Sequence, residues 1–295
     1  MKKQRYIGIL SALASGLLLG ISPMFVSIVN RQGVSSFTVC FMRFLISALL
    51  FFCYLTICRI DIRLPATCLK KLFRAALCSS ATTITLYSCY RYIGISAGTT
   101  IHFSYPILVI LFSAVLFREK PDRKSLLCAV ICSLGIWLFF DRQSDSGNAA
   151  GILLALLSAF LYSFYLITIE RSGIAEQDPV VMSFYISFFN ALLIGISDLL
   201  LFHQISLRMS VSSWGLCLLI SLMTSVFATL FLQIAIRYTN SVLFSLLSLS
   251  EPLSSVLCGF LILQEPFSMR KAIGCLIIFL SLLFLIRSEK QEESQ

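Results

Sequence analysis

Charge is what this sequence lacks. Asp, Glu, Lys and Arg make up 13% of its 295 residues, where a soluble domain carries roughly 25%. With 58% hydrophobic residues and a mean hydropathy of +0.92, most of the surface must face something other than water. Histidine is scarce, with 2 in the chain. No CxxC, CxxH or HExxH spacing occurs, so the usual zinc patterns are missing and no metal site is expected. No glycine-rich loop ends in Lys-Ser or Lys-Thr, so the sequence holds no phosphate cradle of the ATP-binding kind. No Ser-His pair or paired intramembrane aspartates favour an intramembrane enzyme, and no long polar stretch favours a receptor or scaffold. Both stand only as alternative readings.

What is present is a series of apolar runs. They fall at about 6–28, 36–58, 72–93, 97–117, 125–140, 150–169, 180–202, 213–236, 241–263 and 272–286. A spanning helix needs about 20 mainly apolar residues, and open sheet edges are not tolerated in lipid. The expected fold is therefore all-α, an integral membrane protein of ten transmembrane helices. The first run follows KKQR and is too long for a signal-peptide core, so it is expected to be retained. The net charge of +9 comes from short basic clusters between the runs, such as LKKLFR at 69–74. That pattern suits helix ends held at a lipid surface rather than a nucleic-acid partner. With the N-terminus cytoplasmic, most of the 23 Lys and Arg fall in inside segments. This predicts both termini on the cytoplasmic side of a cell membrane.

The chain repeats itself. GILSALASG at 8–16 resembles GILLALLSA at 151–159, an offset of 143. YRYIGIS at 90–96 pairs with IRYTNSV at 236–242, an offset of 146, and at that offset Pro106 meets Pro252 and Glu119 meets Glu265. The expected halves are 1–145 and 146–295, the second ending in a short polar tail. Five helices is an odd number, so the second half must enter the membrane from the opposite side, as in the inverted repeats of many secondary transporters.

Ionisable residues inside apolar runs are costly and are functional candidates by default. Glu251 sits beside Pro252 in the ninth run. It is a candidate proton-coupling group or a partner for a substrate ammonium; a structural pair with an Arg is the plain alternative. Its repeat counterpart is the uncharged Tyr105. Arg43 either reaches the outer interface or faces a cavity. His102 shares a helical face with Tyr105. Tyr87, Tyr90, Tyr162, Tyr165 and Tyr185 would form an aromatic lining if they pointed inward, although Tyr90 is expected as an interfacial anchor. Asn190 and Gln233 offer hydrogen bonds in mid-helix. Pro106 and Pro252 each remove a helical hydrogen bond and are hinge candidates. Glu119 and Glu265 are expected to form structural ion pairs. Ala12, Gly16 and Gly20 are spaced for close helix packing. The 11 cysteines read as small hydrophobes.

The stretch YPILVILFSAVLFREKPDRKSLLCAVICSLG at 105–135 and its counterpart EPLSSVLCGFLILQEPFSMRKAIGCLIIFLS at 251–281 share a pattern. Each has a proline within the fourth helix of its half, a glutamate at that helix's end and small residues in the fifth, at Cys128, Gly135, Gly274 and Ser281. With Gly16, Gly20, Pro23 and Arg43, this resembles the EamA family of the drug/metabolite transporter superfamily. The resemblance implies ten helices in two inverted halves around a cavity lined by helices one, three, four, six, eight and nine. It also implies movement of small metabolites without ATP or a bound cofactor, often export of amino acids or related compounds. The expected partners are a small-molecule metabolite and the bilayer, with a homodimer as a further arrangement.

Overall fold

The structure is a computed structural model that describes residues 2–118, 120, 122–139, 148–262 and 269–292. Among the described residues every regular element is helical, and there is no strand. This is what lipid demands, because a helix pairs its own backbone groups within one segment. The elements are α1 (Lys2–Arg31), α2 (Ser36–Ile57), α3 (Ala66–His102), α4 (Tyr105–Phe117), α5 (Arg123–Trp137), α6 (Ala149–Arg171), α7 (Pro179–Ser197), α8 (Val211–Ile220), α9 (Thr229–Tyr238), α10 (Ser241–Leu247), α11 (Glu251–Leu261) and α12 (Met269–Glu292). A wider turn over Ser221–Ala228 joins α8 to α9, and a tight turn over Ser248–Ser250 joins α10 to α11. Eight segments of the described residues are long and apolar enough to cross a membrane.

Two of the ten apolar runs fall short of that test. One is α5, with 15 residues. The other is the part of α3 before Gly94, where the backbone leaves the helical region at φ 77°. Ser79, Thr82, Thr83, Tyr87 and Tyr90 dilute its apolar character because they line a cavity.

Helix starts are written locally. Ser35 accepts from the Thr38 N–H, Asp122 from Ser125, Asn148 from Ala150, Asp178 from Val180 and Val181, and Asn240 from Leu243. Each bond satisfies an N–H that has no partner within its own helix.

Pro106 and Pro252 do not interrupt helices, as the sequence suggested. Both sit in the first turn of a new helix, α4 or α11, where the missing N–H costs no helical bond. The breaks lie just before them, at Phe103–Ser104 and Ser248–Ser250. Glu119 and Glu265, expected in ion pairs, lie outside the described residues.

Contacts between the two halves come in matched sets. Gly8 in α1 lies against Tyr238 and Thr239, and Gly151 in α6 lies against Tyr92 and Ile93. Gly20 approaches the Glu251 carbonyl, while Ser163 donates to the Tyr105 carbonyl at 3.1 Å. Where α5 crosses α12, Gly135 and Gly274 face each other and the Ser281 hydroxyl lies 3.1 Å from the Cys128 thiol. The order of those pairs makes the two helices antiparallel. The small residues let the backbones approach closely.

Candidate functional site

A cavity of about 170 Å³ lies at the centre of the bundle. Its wall takes Leu19 and Ser22 from α1, Arg43 from α2, Thr82 and Tyr87 from α3, and Tyr105 from α4. Tyr162 and Tyr165 come from α6, Thr229 from α9 and Glu251 from α11. The cavity reaches Ser36, at the end of the bundle that holds the α1–α2 connection. The opposite end is filled by a buried apolar cluster that includes Met182, Ile236, Phe244 and Leu247. Polar contacts close that end as well. Glu170 accepts from the backbone N–H (2.9 Å) and the hydroxyl of Ser241. Lys71 donates to the Ser172 carbonyl at 2.6 Å, and Arg237 to the Gln177 carbonyl at 3.2 Å.

The two charges in the wall are not spent on each other. Arg43 and Glu251 interact electrostatically, yet no ion pair joins them within 4.0 Å among the described residues. The Arg43 Nε is buried and has no hydrogen-bond partner. A buried donor left unmade costs on the order of 1–3 kcal/mol, more when charged. Such a donor can receive an acceptor that enters the cavity. The Arg43 guanidinium also lies 4.6 Å from the centre of the Phe44 ring, which packs it without neutralising it.

An aromatic wall lines the same cavity. Tyr105 and Tyr162 meet edge to face at 4.8 Å, Tyr162 and Tyr165 stack at 5.8 Å, and the His102 ring lies 5.4 Å from Tyr105 and 5.5 Å from Tyr162. Polar bonds hold the rings. Tyr105 Oη lies 2.6 Å from Ser248 Oγ, His102 Nδ1 lies 2.9 Å from Ser158 Oγ, and Gln233 donates to the Tyr165 hydroxyl at 3.4 Å. The arrangement offers a cation, an anion, hydroxyls and ring faces around one space. It can hold a small polar molecule with charge at both ends and an apolar or planar body.

The structure brings together Glu251, Arg43, His102, Tyr105, Tyr162 and Tyr165 in this wall. Gln233 stands behind Tyr165, and its side-chain oxygen is buried without a partner. Asn190 is elsewhere. It accepts from Ser80 at 2.7 Å and donates to the Ile186 carbonyl, tying α7 to α3. Tyr185 also points away and donates to the Ile62 carbonyl at 2.9 Å. Tyr90, expected at the interface, is in the cavity wall. The hydroxyls of Ser79, Thr82 and Thr83 were missed. Their spacing with Leu86, Tyr87 and Tyr90 is the helical one and marks a polar face on an otherwise apolar helix.

The model of the EamA-like transporter family matches residues 6–141 and again 149–287. The chain belongs to the EamA-like transporter family. It is a multi-pass membrane protein and a membrane transporter, as its family and its relatives' names together indicate. It is 25% identical over 227 residues to a Bacillus subtilis (strain 168) protein named uncharacterized transporter YwfM, covering 75% of each chain. An Archaeoglobus fulgidus protein named uncharacterized transporter is 23% identical over 186 residues, 62% of this chain and 63% of its own. A solved crystal structure superposes with a TM-score of 0.80 at 19% identity, over 97% of this chain and 98% of the other. At that identity the likeness is one of fold. Cavity and charges therefore belong to an EamA-like transporter.

Proposed function

We propose that this EamA-like protein is a secondary carrier of ten spanning helices in two inverted five-helix halves, 1–145 and 146–295. It moves a small zwitterionic metabolite, an amino acid or a related compound, outward across the cell membrane by alternating access, with Glu251 as the proton-coupling group. The termini lie in the cytoplasm. The observation that carries the reading is the central cavity, in which an arginine and a glutamate that form no ion pair with each other share a space lined by aromatic rings. Arg43 suits a carboxylate and Glu251 an ammonium.

The matched contacts between halves support the inverted arrangement. Helix one of each half meets the third helix of the other, through Gly8 and through Gly151. The fifth helices meet each other with positions exchanged, as an isologous contact about a two-fold axis requires. Two equivalent halves in opposite orientation make the two extreme conformations nearly equal in energy, which is what alternating access needs. The cavity reaches one end of the bundle while the other end is packed, so this conformation is open on the side that the cytoplasmic-termini reading makes external.

The test compares metabolites inside and outside cells with and without the protein. One or a few zwitterionic compounds are expected to accumulate outside, and Glu251→Gln is expected to abolish that difference or its dependence on the proton gradient while the protein still inserts. Unaltered, gradient-dependent export by Glu251→Gln would remove Glu251 from the mechanism. No change in any metabolite would remove the export reading.

A further inference from the structure

The repeat makes one asymmetry in the cavity informative. At the offset of 146, Tyr105 corresponds to Glu251 and His102 to Ser248. Tyr105 touches Ser248, Oη to Oγ at 2.6 Å. The reciprocal pair is Glu251 with His102, and it is not made. His102 bonds Ser158 instead, and the Glu251 carboxylate has no hydrogen-bond partner among the described residues. Around this core other reciprocal pairs are kept, Gly20 with Glu251 and Ser163 with Tyr105 among them. The helices that carry the four residues are therefore joined at the 105/248 level and parted at the 102/251 level. The parted level lies nearer the Ser36 end, where the cavity extends.

Resting on the inverted-repeat reading above, we infer that the opposite conformation exchanges these contacts: Tyr105 and Ser248 separate, and the Glu251 carboxylate pairs with the His102 imidazole. Both members of the new pair are hydrogen-bonding groups, and the carboxylate has a vacant bonding capacity to fill. The pair closes the cavity towards the α1–α2 end, because His102 and Glu251 are then in contact across it. It also gives the proton a second partner in one conformation only, which is how a titratable group becomes coupled to a conformational change. The other charged or titratable groups facing Glu251 are Arg43 from α2, Tyr87 and Tyr90 from α3, Tyr105 from α4 and Tyr162 from α6. Tyr105 and Tyr162 also flank His102.

A zinc bridge tests the exchange. In Glu251→His, Zn²⁺ can join the new imidazole to His102 only if the two residues meet. Hydrogen exchange in the purified protein is then expected to slow about tenfold or more around Gly33–Ser36 and to quicken around Ser172–Asp178, as one end closes and the other opens. The paired variant Tyr105→His with Ser248→His is expected to respond to Zn²⁺ in the opposite sense. Adding His102→Ser to Glu251→His must abolish the response; an unchanged response assigns Zn²⁺ to cysteines and overturns the pairing. A response of the 105/248 variant but none of Glu251→His overturns the pairing and leaves the carrier standing. If neither end changes in any variant or with the exported metabolite, alternating access itself fails. Should Glu251→His not fold, His102→Gln, the carboxylate-keeping Glu251→Asp and their double variant are compared in export, each single being expected to leave a measurable rate. The double is expected to lose no more than the worse single, and additive losses overturn the pairing.

Discussion

Gly20→Ala puts one methyl group where α1 meets the Glu251 backbone. A β-carbon there would overlap the Glu251 carbonyl oxygen and the Ser254 hydroxyl. The hydroxyl can rotate away, but the carbonyl belongs to the first turn of α11 and moves only with that helix. Restoring ordinary contact parts α1 from α11 by on the order of 1 Å. Overpacking of this kind costs about 1–3 kcal/mol, and alanine returns up to about 1 kcal/mol of helix propensity. The net loss of stability is about 0–2 kcal/mol. The functional loss is larger, because α11 carries Glu251 into the cavity, and a misplacement of about 1 Å at a working site costs on the order of a hundredfold in rate. The assay pairs thermal unfolding in detergent with export of the responsive metabolite. Gly215→Ala is the control, since a β-carbon at Gly215 meets nothing within 4 Å; it is expected to export normally and to be as stable or slightly more so. Wild-type export by Gly20→Ala would refute the close approach of α1 to Glu251.

Two further outcomes follow from the surface of the bundle. Partial burial pushes the Asp122 carboxyl up, but the N–H groups of Ser125 and Lys124 and the Ser125 hydroxyl outweigh it and hold the carboxyl below its ordinary value. A carboxyl lowered on folding stabilises the protein above its unfolded value and loses that contribution as pH falls through the folded one. Thermal unfolding below about pH 4 should therefore fall less steeply in Asp122→Asn, which keeps the cap but not the titration; equal slopes would refute this. Reporters fused to either terminus should read as cytoplasmic, and an external C-terminus would break the ten-helix count.

The sequence by itself determined that the chain is helical and lives in a membrane. Apolar runs of spanning length leave the backbone no other way to pair its polar groups in lipid. The duplicated Pro106/Pro252 pattern with its small residues was enough to point to the family, because such spacings are local and survive divergence. Arg43, Glu251, His102 and three tyrosines were legible as candidates, since charge and polarity inside an apolar run stand out. Their meeting was not legible. Arg43 and Glu251 share a space only because α2 and α11 converge on it, and linear spacing says which face a side chain takes but not what that face meets. For the same reason Asn190 and Tyr185, equally polar on paper, turned out to bind Ser80 and the Ile62 carbonyl away from the cavity. Pro106 and Pro252 open helices instead of bending them, because the chain breaks just ahead of each. Gly20 reads as a packing residue from its spacing, and only the packed bundle decides that the backbone it packs against is that of Glu251.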